Sequence, residues 1–480
     1  MIFCDKMITK TRYRYILLIN PEIRGPEYEA FKSKTNSEVI YEWHQIRKNT
    51  PGKISSSINI GLLSIASYLS QYGYKVEILD LMGDKHDLDS LKKVIFKNEF
   101  KVVGISNLFY CTMESTLEYA SMIKQFSPDI KIIVGGTHLP EIVHILPYEV
   151  IKNIDFIVKG EGEIPMLLIL KCLEQNVNLC NIPNIYINNR KAKKFIFTFP
   201  QKLYLKMLPE VDYEIYPHFQ KHPIVIEIDR GCPFNCEFCI KSPYFRIKSF
   251  KKLRNEFQKV FNAKDATKKE INIIIASNTF GLNKRFTLKL LDLLVNYRKK
   301  YDFRWGAQTR PDIFYTNYLY NDAKILEKLV SSGLKSLSLG LESASPRILS
   351  LMNKTKNPIK YIKDAEKTIC ILNKYDSIYC RPNFIIYAGE NFDSVNDTFK
   401  FLYRNIDYLK GIHVSTIMMY PNSLLWEHIS VYTQLYGTQV YKDEYWEKVK
   451  AYPLSPSSEI NFLEAKFLER FMTKIFNRRL

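Results

Sequence analysis

The sequence predicts an α/β protein in two parts: a Rossmann-like, doubly wound domain followed by a partial (β/α)6 TIM-like barrel. Three observations predict it. Short apolar runs alternate with helical periodicity from residue 13 to about 185. After a proline-punctuated stretch the alternation resumes and gives six further strand–helix units. At the start of that second series stands Cys232-Pro-Phe-Asn-Cys236-Glu-Phe-Cys239, directly after the apolar run Pro223–Asp229. The expected organisation is a first domain over 1–185, a linker over 186–222, a barrel over 223–425 and a C-terminal segment over 426–480.

In the first part, Tyr15–Asn20 reads as a short buried strand. Ile60–Tyr72 has helical spacing, with Leu62, Leu63, Ile65, Ala66 and Leu69 available to one face and Gly73 as a C-terminal cap. Strands follow at 75–80 and 102–106, then a helix at 114–126, then strands at 131–134 and 156–158. Such a sheet binds ligands at the carboxyl ends of its strands. Pro183, Pro200, Pro209 and Pro217 mark the linker.

In the second part, Ile224–Asp229 is the first strand, and further strands are expected at 271–276, 302–309, 335–340, 381–387 and 411–418. Helices are expected between them at 248–262, 284–299, 320–331, 358–374 and 394–407. Functional side chains of a β/α barrel sit at strand carboxyl ends.

The cysteine spacing is C-x3-C-x2-C. Three thiolates can hold three irons of a 4Fe–4S cubane and leave the fourth iron without a protein ligand. A zinc knuckle is the competing reading, but structural zinc takes four closed ligands and the nearest fourth candidate is His222. With Arg230-Gly231 before it and Phe238 inside it, the segment resembles the cluster loop of radical S-adenosylmethionine (SAM) enzymes. The resemblance implies Cys232, Cys236 and Cys239 as cluster ligands, Phe238 beside the cofactors, SAM as cosubstrate, and an external flavodoxin- or ferredoxin-like one-electron reductant.

Three loops at strand ends of the first part also stand out. They are Asn20-Pro-Glu-Ile-Arg-Gly25, Ser106-Asn-Leu108, and Gly135-Gly136, with 26 residues between Leu108 and Gly135. Together they resemble the cobalamin-binding domain, whose pattern is D-x-H-x-x-G, S-x-L and G-G. The last two elements match. In the first, Asn20, Glu22 and Gly25 stand in the places of Asp, His and Gly, so no imidazole is offered to cobalt there. Gly160-Glu-Gly-Glu163 also resembles a segment of this paired architecture. The resemblance implies bound cobalamin, with the glycine pair letting backbone approach the cofactor. His138 and His144 are expected at the surface or in loops. Residues 26–59, with Tyr41, Trp43, His44 and Arg47, read as an insertion that can cover a cofactor or substrate.

The radical SAM resemblance extends to the other strand ends. Ser277 and Asn278 stand where acidic residues near the SAM ammonium are common, so a neutral contact is expected. Arg310 offers a fork to the SAM carboxylate, or forms an ion pair. Glu342 matches the position near the SAM ribose or ammonium, or is a structural ion pair. Tyr387-Ala-Gly-Glu390 resembles a P-G-E turn, with Glu390 expected to cap the next helix. Met418 to Pro421 ends the sixth strand and can pack on adenine. The C-terminal segment, with Trp426, His428, Tyr441, Tyr445 and Trp446, reads as a substrate lid.

The implied activity is reductive SAM cleavage followed by cobalamin-dependent methyl transfer to an unactivated carbon of a small molecule or peptide. Cyclisation, oxidation or rearrangement without methyl transfer is the alternative, and a B12-binding sensor is the non-enzymatic one. No Ser-His-Asp arrangement or Walker loop is present, as expected where cofactors break the bonds.

The rest of the composition sets bounds. No apolar run reaches the roughly 18 residues of a membrane span, and no leader peptide is read, so a cytoplasmic enzyme is expected. Nine cysteines, six of them scattered, fit reduced thiols. The net charge of +19 suits an anionic partner such as a phosphate-bearing substrate. The basic residues are dispersed and no RNA-binding or helix-turn-helix signature appears, so nucleic acid is not expected as a partner.

Overall fold

The structure, a computed structural model, describes residues 13–24, 57–81, 88–97, 100–201, 210–240, 244–265, 270–320 and 323–477. Gly25 and nearly all of the 26–59 insertion lie outside the described residues. The chain divides into two compact units, Met1–His222 and Pro223–Leu480, each built round its own sheet.

Unit one has seven strands: β1 (Tyr15–Asn20), β2 (Lys75–Asp80), β3 (Val102–Ser106), β4 (Lys131–Gly136), β5 (Phe156–Lys159), β6 (Ile185–Asn189) and β7 (Lys194–Phe197). They lie in the order β2-β1-β3-β4-β5-β6-β7. The first five are parallel; β6 and β7 add on antiparallel. Ile16, Leu17, Leu18 and Ile19 are all buried, which is why β1 is apolar on both faces. Strand order reverses between β1 and β3, so the crevice at their carboxyl ends is where a doubly wound sheet takes its ligand. The expected helices are found at Ile60–Ser70 and Met113–Phe126, the first capped by Asn59, whose side chain accepts from the Leu62 amide. Two more, Leu88–Lys97 and Glu163–Gln175, were not anticipated.

The stretch read as a linker contributes β6 and β7 to this sheet, and unit one runs on to His222. The hairpin escapes periodicity because it is an edge with little burial: only Ile185 of its residues is fully covered. Tyr186 and Phe197 pair across it with ring centroids 4.7 Å apart.

Unit two holds β8 (Ile224–Glu227), β9 (Asp229–Arg230), β10 (Arg246–Ile247), β11 (Ile271–Ala276), β12 (Phe303–Thr309), β13 (Leu334–Glu342), β14 (Tyr379–Ile386) and β15 (His413–Thr416). The main sheet runs β8-β11-β12-β13-β14-β15, all parallel, in chain order. Each step crosses through helix, and the ends β8 and β15 do not pair, so the sheet is a partial barrel. One side of every strand packs on those helices: Phe303 meets Phe261 at 4.9 Å and Phe384 meets Phe401 at 6.3 Å.

The C-terminal segment forms a small antiparallel sheet of β16 (Met418–Met419), β17 (Gln439–Val440) and β18 (Tyr452–Ser455). Met418 and Met419 therefore pair with β18. The helix Phe462–Phe476 covers the β15 edge. Glu469 Oε2 accepts from the Thr416 amide and hydroxyl, both at 2.7 Å, and Asn477 Oδ1 accepts from the Ile412 amide. An unpaired strand edge is thereby satisfied by side chains.

Candidate active site

The cysteine loop leaves β9 at Gly231, whose φ of 80° suits glycine. Cys232 and Cys236 are buried and Cys239 is half-buried. Cys232 Sγ lies 3.4 Å from Thr279 Oγ1 at the end of β11, and Cys236 Sγ lies 4.0 Å from Arg310 Nη1 at the end of β12. The loop thus sits at strand carboxyl ends, held by backbone as well as side chains. The Glu237 amide donates to Met352 O, the Leu425 amide to Glu237 O, and Asn353 Nδ2 to Asn235 O. His428 Nδ1 lies 2.9 Å from Glu237 Oε2. Trp426 stacks on Tyr452. The segment expected as a lid is, in these contacts, a brace for the cysteine loop.

The donor set fits an open cluster. Among the described residues, no three His, Cys, Asp or Glu side chains converge as a single-ion site. A cubane keeps its thiolates apart, each on a different iron. His222, the candidate fourth zinc ligand, packs edge-on against Tyr216.

Arg310 is the centre of the packing beneath the loop. Its fork is bidentate to Asp312, at 3.1 and 2.9 Å, and Nη2 also donates to Lys354 O. Its guanidinium carbon lies 3.7 Å from the Phe234 ring centroid. The fork expected for the SAM carboxylate is committed to Asp312; what remains, Nη1, faces sulfur.

Glu342 takes the ion-pair alternative: Oε1 accepts from Lys354 Nζ at 3.0 Å, both side chains largely covered. Its φ is +71°, at an irregularity in the β13–β14 register. Strain of this kind gathers where a strand end must aim a side chain at a ligand. Gly340 makes the room, since a Cβ there would lie 2.8 Å from Glu342 Oε1. Lys354 Nζ also lies 5.8 Å from the Phe238 ring, which packs edge-on to Tyr387. Lys354 carries no local signal; only the fold brings it to Glu342.

Ser277 is not a stand-in for an acidic residue but the partner of one. Its hydroxyl donates to Asp229 Oδ2 at 2.7 Å, and Asp229 Oδ1 is buried with no partner among the described residues. Burial pushes the Asp229 carboxyl up to about 7. Sequence reasoning missed Asp229, although a carboxylate closing an apolar strand just before the cysteines was a readable sign. Asn278 Nδ2 donates to Gly231 O.

The helix Phe392–Arg404 is capped by Asn391 with Ser394 in a capping box, not by Glu390. Glu390 lies one residue outside and is buried, its Oε2 accepting from the Tyr387 amide at 3.4 Å. Burial raises its carboxyl from 4.5 to about 7. The native state holds the proton over that interval while the unfolded chain releases it. Stability therefore falls as pH rises from about 4.5 to about 7 and stays lower above it. Glu390→Gln is expected to match wild type near pH 4 and to exceed it by on the order of 2–4 kcal/mol at pH 8. Denaturant unfolding across that range measures it, and a constant difference at every pH would refute the buried-carboxyl account.

In unit one, the three loops do meet at the carboxyl edge. Asn20 is buried in a network: its Nδ2 donates to Asp80, and Asn59 Nδ2 donates to Asn20 Oδ1 and to Ser106 Oγ. Tyr216 Oη donates to Asp80 Oδ2 at 2.7 Å. Asn20 is thus a packing group, and Glu22 is paired with Arg24, which also pairs with Glu118. Gly136, at φ +124°, lets the β4 loop approach the Asn107 backbone of the β3 loop rather than only a ligand. Leu108 O accepts from Thr137 Oγ1, closing the same two loops together. A Cβ on Gly135 would meet only Val158, at 3.8 Å, and one on Gly160 would meet nothing within 4 Å. A side chain at Gly135 would thus make only ordinary contact, and the space beside Gly160, after β5, is open. His138 lies in the loop after β4, as one of the two expected settings, and is buried there.

The cysteine loop thus stands at the carboxyl ends of a parallel half barrel, with Cys232 beside Thr279 and Cys236 beside Arg310. Residues 226–402 match the radical SAM superfamily and residues 55–170 the B12 binding domain. The chain belongs to the radical SAM enzymes that carry a B12-binding domain, and its cofactors are SAM, a 4Fe–4S cluster and cobalamin. It is 26% identical over 386 residues to an uncharacterised methyltransferase of Pyrococcus horikoshii, covering 77% of this chain and 78% of that one. It is 26% identical over 359 residues to the anaerobic magnesium-protoporphyrin IX monomethyl ester cyclase of Rubrivivax gelatinosus, covering 70% of this chain and 60% of that one. Among solved structures, the radical SAM methyltransferase TsrM of Kitasatospora setae, with cobalamin and cluster bound, superposes with a TM-score of 0.67 at 15% identity. That match covers 90% of this chain and 81% of TsrM. No described helix is long and apolar enough to cross a membrane.

Proposed function

We propose that the protein methylates an unactivated carbon of a small-molecule or peptide substrate, with the cluster held by Cys232, Cys236 and Cys239 and electrons from a flavodoxin- or ferredoxin-like reductant. The observation that carries this reading is the three-cysteine loop placed at the carboxyl ends of a parallel half barrel, with Cys232 against Thr279 and Cys236 against Arg310. When bound, the three cofactors supply one-electron cleavage of a sulfonium carbon–sulfur bond and delivery of a methyl group.

The chain's own residues position and shield. Arg310 and Phe234 brace the cysteine loop and bring positive charge to Cys236. Asp229, with one oxygen unpaired, accepts the SAM ammonium while Ser277 holds the other oxygen. Glu342, aimed by its strained backbone and held by Lys354, accepts from the ribose. Loops with Ser106, Leu108, Gly135 and Gly136 seat cobalamin in unit one. A cyclase among the relatives supports the second reading, in which the same cofactors close a ring without methyl transfer.

The test is oxygen-free reconstitution with iron, sulfide and hydroxocobalamin. About four irons and one cobalt per chain are expected, with 5′-deoxyadenosine formed on reduction and label passing from methyl-labelled SAM to product. Iron without cobalt would overturn methyl transfer. Asp229→Asn is expected to raise the SAM KM by about tenfold or more, the loss of a charge-assisted hydrogen bond, at unchanged iron content. An unchanged KM would remove Asp229 from the SAM site.

A further inference from the structure

We propose that the inner face of the half barrel carries an oxyanion site centred on Arg381, which holds a carboxylate or phosphate group of the substrate; this rests on the reading of unit two as the radical SAM active site. The face is fixed by contacts. Phe384 of β14 packs on the helix side against Phe401, so Arg381 and Asn383, on alternate positions, face inward. Asn383 Nδ2 donates to Ser338 Oγ at 2.8 Å, placing Ser338 of β13 on the same face.

A closed β/α barrel fills its interior with branched apolar side chains. Here a polar row crosses the sheet instead: Gln308 stands opposite Ser338, Ser338 opposite Arg381, and Asn383 opposite His413. Gln308 and Ser336 are exposed on that face. Gly306 keeps it open, because a Cβ there would overlap the Ser336 hydroxyl.

Arg230, Arg298, Arg304 and Arg310 of this unit each pair with a carboxylate. Arg381 is half-buried and, among the described residues, has no hydrogen bond or ion pair. His413, opposite Asn383 on β15, is exposed on the same side of the sheet. The nearby carboxylates are committed elsewhere, Glu342 to Lys354 and Glu469 to Thr416. A partly covered guanidinium with no carboxylate calls for an anion, and its fork matches carboxylate or phosphate oxygens. Arg381 lies three residues below Phe384, the partner of Glu342. At 3.3 Å per residue the anionic group would sit about 10 Å below the strand ends. The substrate is then one whose acidic end is that far from its reacting region.

The test uses the full chain loaded with iron and cobalamin, titrated by calorimetry with inorganic phosphate and with succinate at constant ionic strength. Binding of at least one is expected, weakened about tenfold or more in Arg381→Met. Whichever anion shows the larger loss identifies the group. Arg304→Met, removing an arginine already paired with Asp302, is expected to bind as wild type. Equal binding by wild type and Arg381→Met, at equal Tm and cofactor content, overturns the proposal. If the methionine variant loses Tm, Arg381→Gln replaces it under the same criterion. Formation of 5′-deoxyadenosine by the wild type is measured in parallel. Its absence alongside Arg381-dependent binding would remove the enzymatic reading and leave the anion site standing.

Discussion

Cys236→Ala is expected to abolish 5′-deoxyadenosine formation while cobalamin remains bound. Cys236 is the middle cysteine of the loop, buried beside Arg310, and on the proposed assignment its thiolate would hold one iron of a cluster with only three protein ligands. Loss of the thiol should not unfold the loop. Its backbone is tied through the neighbouring residue, with the Glu237 amide on Met352 O and Glu237 O accepting from Leu425. Unit one is built round a separate sheet, so its cofactor should stay. The measurement is iron, cobalt and 5′-deoxyadenosine on the same oxygen-free sample. Iron content and SAM cleavage at wild-type level would sink the assignment of Cys236 as a ligand. Loss of cobalt together with iron would mean that the variant is damaged beyond its cluster.

What was legible in the sequence was local. Three cysteines within eight residues declare their chemistry because the spacing alone brings the thiols to one loop. The central parallel strands of unit one declared themselves as apolar runs, since β1 and β3 are buried on both faces. The illegible parts are pairings between distant residues. Asp229 meets Ser277 and Glu342 meets Lys354 only once strands have stacked in register. For Arg310 the sequence left a fork for the SAM carboxylate and an ion pair both open, because nothing in Gln308-Thr-Arg310 reveals that Asp312 turns back to take it. The β6–β7 hairpin was missed for a different reason. An edge hairpin with one covered residue has almost no hydrophobic pattern to read, and prolines around it suggest a connector. Asn20, singled out by its position in a pattern, is held by Asp80 and Asn59, two partners distant in sequence that the pattern does not reveal.

Gly136→Ala is expected to destabilise unit one by about 3 kcal/mol or more, combining backbone strain with overpacking. The residue sits at φ +124°, a conformation that an L side chain rarely adopts. A Cβ would also fall inside the Asn107 carbonyl, 2.5 Å from its carbon. That carbonyl cannot retreat cheaply. The Asn107 amide donates to Gly135 O at 2.6 Å, its Oδ1 accepts from the Leu139 amide at 2.7 Å, and its Nδ2 reaches Thr112 and Thr116. Asn107 is the fully buried knot that fixes the β3 and β4 loops at the switch point. Gly135→Ala is the informative contrast, because its Cβ would meet only Val158 at ordinary contact distance. That variant is expected to keep wild-type stability and to lose cobalamin if Gly135 faces the cofactor. Chemical denaturation and cobalt content of the two variants separate the roles. A stable Gly136→Ala would show that the two loops are not locked through Asn107, whereas a stable Gly135→Ala with full cobalt would move the cofactor seat away from the glycine pair.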